Sequence, residues 1–295
     1  MFLTHQFDQS SVMVAVADFV DTVLNLGIGY TEFTQQLAKL IPAFIAFDEE
    51  GLSYVQSIYT FKIMCEYIDQ RRLDRGLEEY LSSLSQEDYR HCKHILISDR
   101  HLHLRHIEQF QKQEKTNNTN LMKYVKNIIA EHYKVLVVRV DLGYKKEFLT
   151  EIKVTTFFGH INSLQHAMKD RNRCFRDLLG YGIALEQGES RGYHAHVFFI
   201  YNGSKRCKDW HLANSALQHW EDITQGKGCG MNLNTPEYKK KFEKNGKLGI
   251  GMIHRKNEIE VQNALITISY LASQNKFNQH LRVKPMGKRT FYKGI

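Results

Sequence analysis

Apolar positions change their period part-way along the chain, and the change predicts two kinds of structure. Over residues 1–112 the spacing is helical. Val12, Val16, Phe19, Val20 and Val23 recur at three- and four-residue steps, and Gly27 and Gly29 close the run. Thr31 is placed to cap a second helix through Leu40, with Pro42 limiting its extension or starting the next turn. Residues 52–84 carry apolar side chains at mixed helical spacing, and Ser85 with Glu87 opens a further helix. Residues 99–112 read as an amphipathic helix through Leu102, Ile107 and Phe110. No chemistry clusters in this half. Packing, oligomerisation and DNA-site recognition are its open roles.

Residues 113–120 are polar throughout and predict a linker. The expected division is therefore a helical N-terminal domain over 1–112, a linker over 113–125 and a second domain over 126–295. Beyond the linker the run 133–142 is β-branched and reads as a central strand. A helix is expected over 151–171, with Phe157, Phe158, Ile161, Leu164 and Met168 on its apolar side. Two strands follow over 179–187 and 193–202, then a helix over 210–224, a strand over 248–254 and a helix over 264–274. The order β-α-β-β-α-β-α predicts an α+β fold, an antiparallel sheet with helices on one face.

The two strands at 179–187 and 193–202 flank Gly-Glu-Ser-Arg-Gly, which is turn chemistry. Strand side chains alternate with period two, so His194 and His196 share a face. A hairpin symmetric about Ser190 sets Glu186 opposite His194, and a slip of one residue would move Glu186 to the far side. Two imidazoles and a carboxylate make a candidate site for a divalent metal. The histidine pair alone carries little weight. At 15 His in 295 residues, a His-x-His match is expected about 0.7 times by chance. His101 and His103 supply such a match, but on a helix they diverge by about 200° and read as surface or packing residues. The competing reading of His194 and His196 is a polar strand face with satisfied histidines.

Composition narrows the class. Apolar content of 42% and charged content of 24% describe a globular protein with ample core. No run has the length of a membrane span, and no basic segment precedes an apolar stretch at the N-terminus. The five Cys lack any C-x-x-C spacing, which fits a reducing cytoplasm. A formal charge of +8 favours a polyanionic partner. The last stretch, 279–295, holds Arg282, Lys284, Lys288, Arg289 and Lys293 with no acid, interleaved with Phe291 and Tyr292. Such a mixture suits single-stranded DNA. Lys205 and Arg206, just after the histidine strand, form a second basic candidate. Lys239, Lys240 and Lys241 form a third, which a solvated loop explains equally well. Tyr270, in ITISYLA, is the candidate nucleophile, against the plainer reading of a core tyrosine on an apolar helix.

A Glu-bearing strand, a turn, a His-hydrophobe-His strand and a downstream Tyr helix resemble the HUH endonucleases. More narrowly, VLVVRVDLGY, EQGESRGYHAHVFFIYNG, GIGMIHR, ISYLA and GKRTFYKG are similar to the replication proteins of filamentous phages and related prophage islands. The likeness covers roughly 126–295. It implies an RRM-like antiparallel sheet and an initiator of rolling-circle replication acting on single-stranded origin DNA in a bacterial cytoplasm. It further implies Mg²⁺ or Mn²⁺ on Glu186, His194 and His196, attack by Tyr270, and a 5′-phosphotyrosine with a free 3′-OH. A host helicase is an additional candidate partner, since no P-loop pattern occurs in the chain. One departure stands out. Family members commonly carry Tyr-x-x-Lys, whereas Ser273 stands at that lysine position. Lys276, about 600° further round a helix from Tyr270, is a second catalytic candidate if the helix ends first. The alternative is a catalytically silent origin-binding protein on the same scaffold, and a relaxase or single-strand transposase would share the chemistry.

Overall fold

The computed structural model describes residues 7–272 and 279–294. The chain divides into two units, Met1–Phe110 with Arg282–Lys288, and Gln111–Leu281 with Arg289–Ile295. In the first unit α1 (Gln9–Asn25) and α2 (Tyr30–Ile45) precede a short strand β1 (Leu52–Tyr54), then α3 (Gln56–Arg72), α4 (Leu77–Ser82) and α5 (Gln86–Ser98). Phe19, Phe33, Phe44 and Phe61 interlock in its core. Ser85 caps α5 as expected, accepting from the Asp88 N–H. Thr31 does not cap α2. Gly29 holds that position and the helix runs through Pro42 to Ile45.

The long helix α6 (Arg100–Glu131) corrects the predicted linker, because 113–120 are helical. Their polar side chains bond one turn away instead, as Gln113 donates to Asn117 and Thr116 to the Lys112 carbonyl. Polarity marked an exposed helix surface there, not a break in it. His103 meets Asp21 at 3.2 Å, a helix-packing role.

The second unit continues with β2 (Lys134–Tyr144), α7 (Val154–Lys169), β3 (Leu178–Gly188), β4 (Gly192–Asn202) and α8 (Asp209–Ile223). It closes with β5 (Gly228–Asn232), α9 (Pro236–Glu243), β6 (Gly251–His254) and α10 (Glu258–Ser269). The final stretch supplies β7 (Val283–Pro285), paired with β1 in the helical unit, and β8 (Phe291–Gly294), paired with β3. The main sheet is antiparallel in the order β5-β2-β4-β3-β8, and β6 also pairs with β2. The α+β class stands, but helices cover both faces of the sheet. Val135, Val137, Phe198 and Ile200 pack with Leu121 and Val125 of α6 and Ala264 and Ile268 of α10. On the other face Tyr144, Tyr193 and Phe199 meet Phe157 of α7, Trp220 of α8 and Phe175. A sheet buried on both sides reads as a near-continuous apolar run, as 133–142 does. Gly182 makes this packing fit, since a Cβ there would lie 2.3 Å from the Phe198 ring.

Candidate metal centre

The β3–β4 hairpin holds the expected register, with Glu186 opposite His194 and Ala184 opposite His196. Gly192 enters β4 with φ +62°, a conformation open to glycine at little cost, and its carbonyl accepts from His194 Nδ1 at 3.1 Å. His194 Nε2 is thereby left facing Glu186 Oε2 at 3.5 Å, buried and without a hydrogen-bond partner among the described residues. His196 Nε2 lies 3.1 Å from the same carboxylate oxygen. All three side chains are buried, at 4% exposure for Glu186, 2% for His194 and 7% for His196.

A fourth group completes the arrangement and escaped the sequence reading. Asp141 on β2 pairs in register with His196, and its Oδ1 accepts from His196 Nδ1 at 2.5 Å. Both imidazoles therefore have Nδ1 engaged and Nε2 directed at Glu186. Burial acts to lower the His196 pKa, but hydrogen bonds with Asp141 and Glu186 and their charge raise it above the ordinary imidazole value. Burial likewise acts to raise Asp141. The bond from His196 and the charges of His196, Arg139 and Arg191 outweigh it and hold the carboxyl below its usual range. Period-two alternation puts residues 139 and 141 on one face, so the signal was present. What sequence could not supply was the pairing of β2 with β4.

Donor atoms of Glu186, His194 and His196 all lie within 4.8 Å of one another and could hold a metal ion. The fit is good in kind and in spacing. Adjacent ligands of a hexacoordinate ion at about 2.1 Å lie about 3 Å apart, against the 3.1 and 3.5 Å separations of the two Nε2 atoms from Glu186 Oε2. Mixed imidazole and carboxylate donors suit a borderline-to-hard divalent cation. The orphaned His194 Nε2 is the kind of buried polar atom that such an ion would satisfy.

Tyr270 is 57% exposed at the end of α10, where the α-helix gives way to a 3-10 turn over Tyr270–Ala272. It lines one cleft of about 400 Å³ together with His196, Arg139 and Arg191. The core-tyrosine reading therefore fails. Ser273 and Lys276 lie outside the described residues.

The basic candidates separate. Lys205 and Arg206 both pair with Asp177, at 3.5 and 3.1 Å, with Lys205 largely exposed. Arg282 is buried in the helical unit, in the field of Asp18 and Asp21, and does not belong to an open phosphate-binding surface. Lys284 lies on β7, and Lys288 is exposed in that same unit. Arg289 is exposed in the sheet unit. The basic stretch 279–295 is thus divided between the two units. Phe291 is partly buried and packs against the core.

A sequence profile of the YagK/YfjJ C-terminal domain family matches residues 98–288. The chain belongs to this family. The match spans α6, Glu186, His194, His196 and Tyr270. No curated protein and no solved structure matches the chain. Among the described residues no helix is long and apolar enough to cross a membrane.

Proposed function

We propose that this protein nicks single-stranded origin DNA by metal-assisted tyrosine transesterification, as an HUH-type initiator of rolling-circle replication for a phage or mobile element. One observation carries the reading: Glu186, His194 and His196 converge on one point, and Tyr270 lines the same cleft as His196. The RRM-like description of the sheet, the bacterial cytoplasm and a host helicase belong to this proposal too.

A bound Mg²⁺ or Mn²⁺ would supply Lewis-acid polarisation of the scissile phosphate. Asp141 keeps a His196 proton on Nδ1, so that Nε2 would give its lone pair to a cation in place of its hydrogen bond with Glu186. Gly192 does the same for His194 through its carbonyl. Burial of the cluster excludes water and strengthens each electrostatic contact. Arg191, which lines the same cleft, places positive charge where the strand's phosphates would lie. The Tyr270 hydroxyl attacks phosphorus as the bond to the 3′-oxygen breaks. Its phenolic proton leaves to solvent, and the departing 3′-oxygen ends as a hydroxyl able to prime synthesis. The covalent intermediate conserves the bond energy for religation.

The second reading, a silent origin-binding protein, draws support from Ser273 at the position where relatives of the HUH type commonly carry lysine. Labelled single-stranded origin DNA incubated with the protein and Mn²⁺ separates the two. The nickase leaves a denaturation-resistant protein–DNA adduct, and a silent protein leaves none.

A further inference from the structure

Most of the lining of the Tyr270 cleft plays no part in metal chemistry. Tyr238 and Phe242 lie one turn apart on α9, with ring centroids 5.1 Å apart. Leu248 and Ile250, just ahead of β6, extend this apolar wall. Arg139 lines the same cleft, and its Nε is buried without a hydrogen-bond partner among the described residues. A phosphodiester backbone has no use for an aromatic and aliphatic wall. A planar heterocycle does, and every nucleobase offers a carbonyl oxygen or ring nitrogen to a single fixed donor. A volume of about 400 Å³ lies within the usual range for small-ligand pockets.

We propose that this cleft is a nucleobase subsite. It takes one unstacked base of the single strand against Tyr238 and Phe242, with the Arg139 guanidinium donating to the base edge. The inference rests on the nicking proposal for where the strand runs. It adds that the protein reads a base beside the nick, so that recognition at the site is not charge alone. A duplex cannot supply that base, because its bases are stacked and paired. The subsite therefore favours single strands for a steric reason.

Equilibrium binding tests this without requiring cleavage. With Mn²⁺ present, fluorescence anisotropy compares oligo-dT with an oligonucleotide of the same length and charge from which every base is missing. The wild-type chain should prefer the base-bearing strand by about 5- to 150-fold, the equivalent of ~1–3 kcal/mol for one stacked base. Phe242→Ala, at a half-exposed position, should lose most of that preference and keep its affinity for the abasic strand. Phe242→Tyr should restore the preference. Arg139→Met should reduce it. Equal wild-type affinity for both strands would overturn the subsite, and so would parallel losses for both strands in Phe242→Ala. Adduct formation on single-stranded origin DNA is scored separately. A base preference without an adduct supports the subsite and refutes the nickase; an adduct without a base preference does the reverse.

Discussion

Replacing Asp141 by asparagine changes one atom pair at the metal cluster and leaves the shape of the side chain intact. In the wild type, Oδ1 accepts from His196 Nδ1 at 2.5 Å, and both partners are buried. The bond keeps a proton on Nδ1, so that a cation would displace only the Nε2 proton now shared with Glu186. Asparagine can offer its amide N–H to Nδ1 instead, and the imidazole then carries its proton on Nε2, where it blocks the metal. Outer partners of this kind are worth about 10- to 100-fold in metal affinity. That range corresponds to about 1.4–2.7 kcal/mol, in line with ~1.5–3 kcal/mol for a hydrogen bond to a charged group. Calorimetric titration with Mn²⁺ measures the change directly. Thermal unfolding gives a second readout, since a ligand at a hundred times its Kd stabilises the native state by about 2.7 kcal/mol. Asp141→Asn should show a much smaller Mn²⁺-dependent rise in Tm at the same concentration. Unchanged Mn²⁺ affinity in Asp141→Asn, beside a clear loss in His196→Ala, would refute the positioning role.

Four further outcomes follow from the same geometry. Tyr270→Phe should abolish the covalent adduct, while Mn²⁺ affinity and single-strand binding stay at wild-type levels; an adduct that survives places the nucleophile elsewhere. Glu186→Gln should lose at least tenfold in Mn²⁺ affinity, with circular dichroism unchanged. Arg282→Ala should lower the Tm, because the side chain is buried in the helical unit, whereas Arg289→Ala should leave the Tm alone and reduce the salt slope of DNA binding by about one. At Asp88, burial acts upward, but hydrogen bonds from Tyr67, Ser85 and Arg71 hold the carboxyl below its ordinary 3.8. Its contribution to stability is therefore full above that value and lost as pH falls through the depressed one, so Asp88→Asn should flatten the acid limb of the stability curve.

The hairpin was legible in the sequence because two local rules agreed. Turn residues fixed its centre, and period-two alternation fixed its faces, so the Glu186–His194 register followed from counting. Asp141 was not legible, since its partnership with His196 depends on which strand β2 pairs with, 55 residues away. The α-helix carrying Tyr270 was expected over 264–274 but spans Glu258–Ser269, because Asn257 caps it and accepts from the Glu260 N–H. That shift takes Tyr270 from mid-helix to a helix end, on the exposed face that Gln262 and Ile266 also occupy. The polar run 113–120 misled because composition reports solvent exposure, which an exposed helix and a linker share. The basic tail misled for a different reason. Charge clustering in sequence does not reveal that β7 and β8 join different units.

The metal centre itself is best tested by diffraction from crystals of the full chain soaked in Mn²⁺, with data collected at a wavelength where manganese scatters anomalously. A single strong peak bounded by His194 Nε2, His196 Nε2 and the Glu186 carboxylate, with Asp141 still holding His196 Nδ1, is the predicted result. The contrary result is an empty cluster at saturating Mn²⁺, with Glu186 still bonded to protonated His196, or a peak bound only by residues elsewhere on the surface.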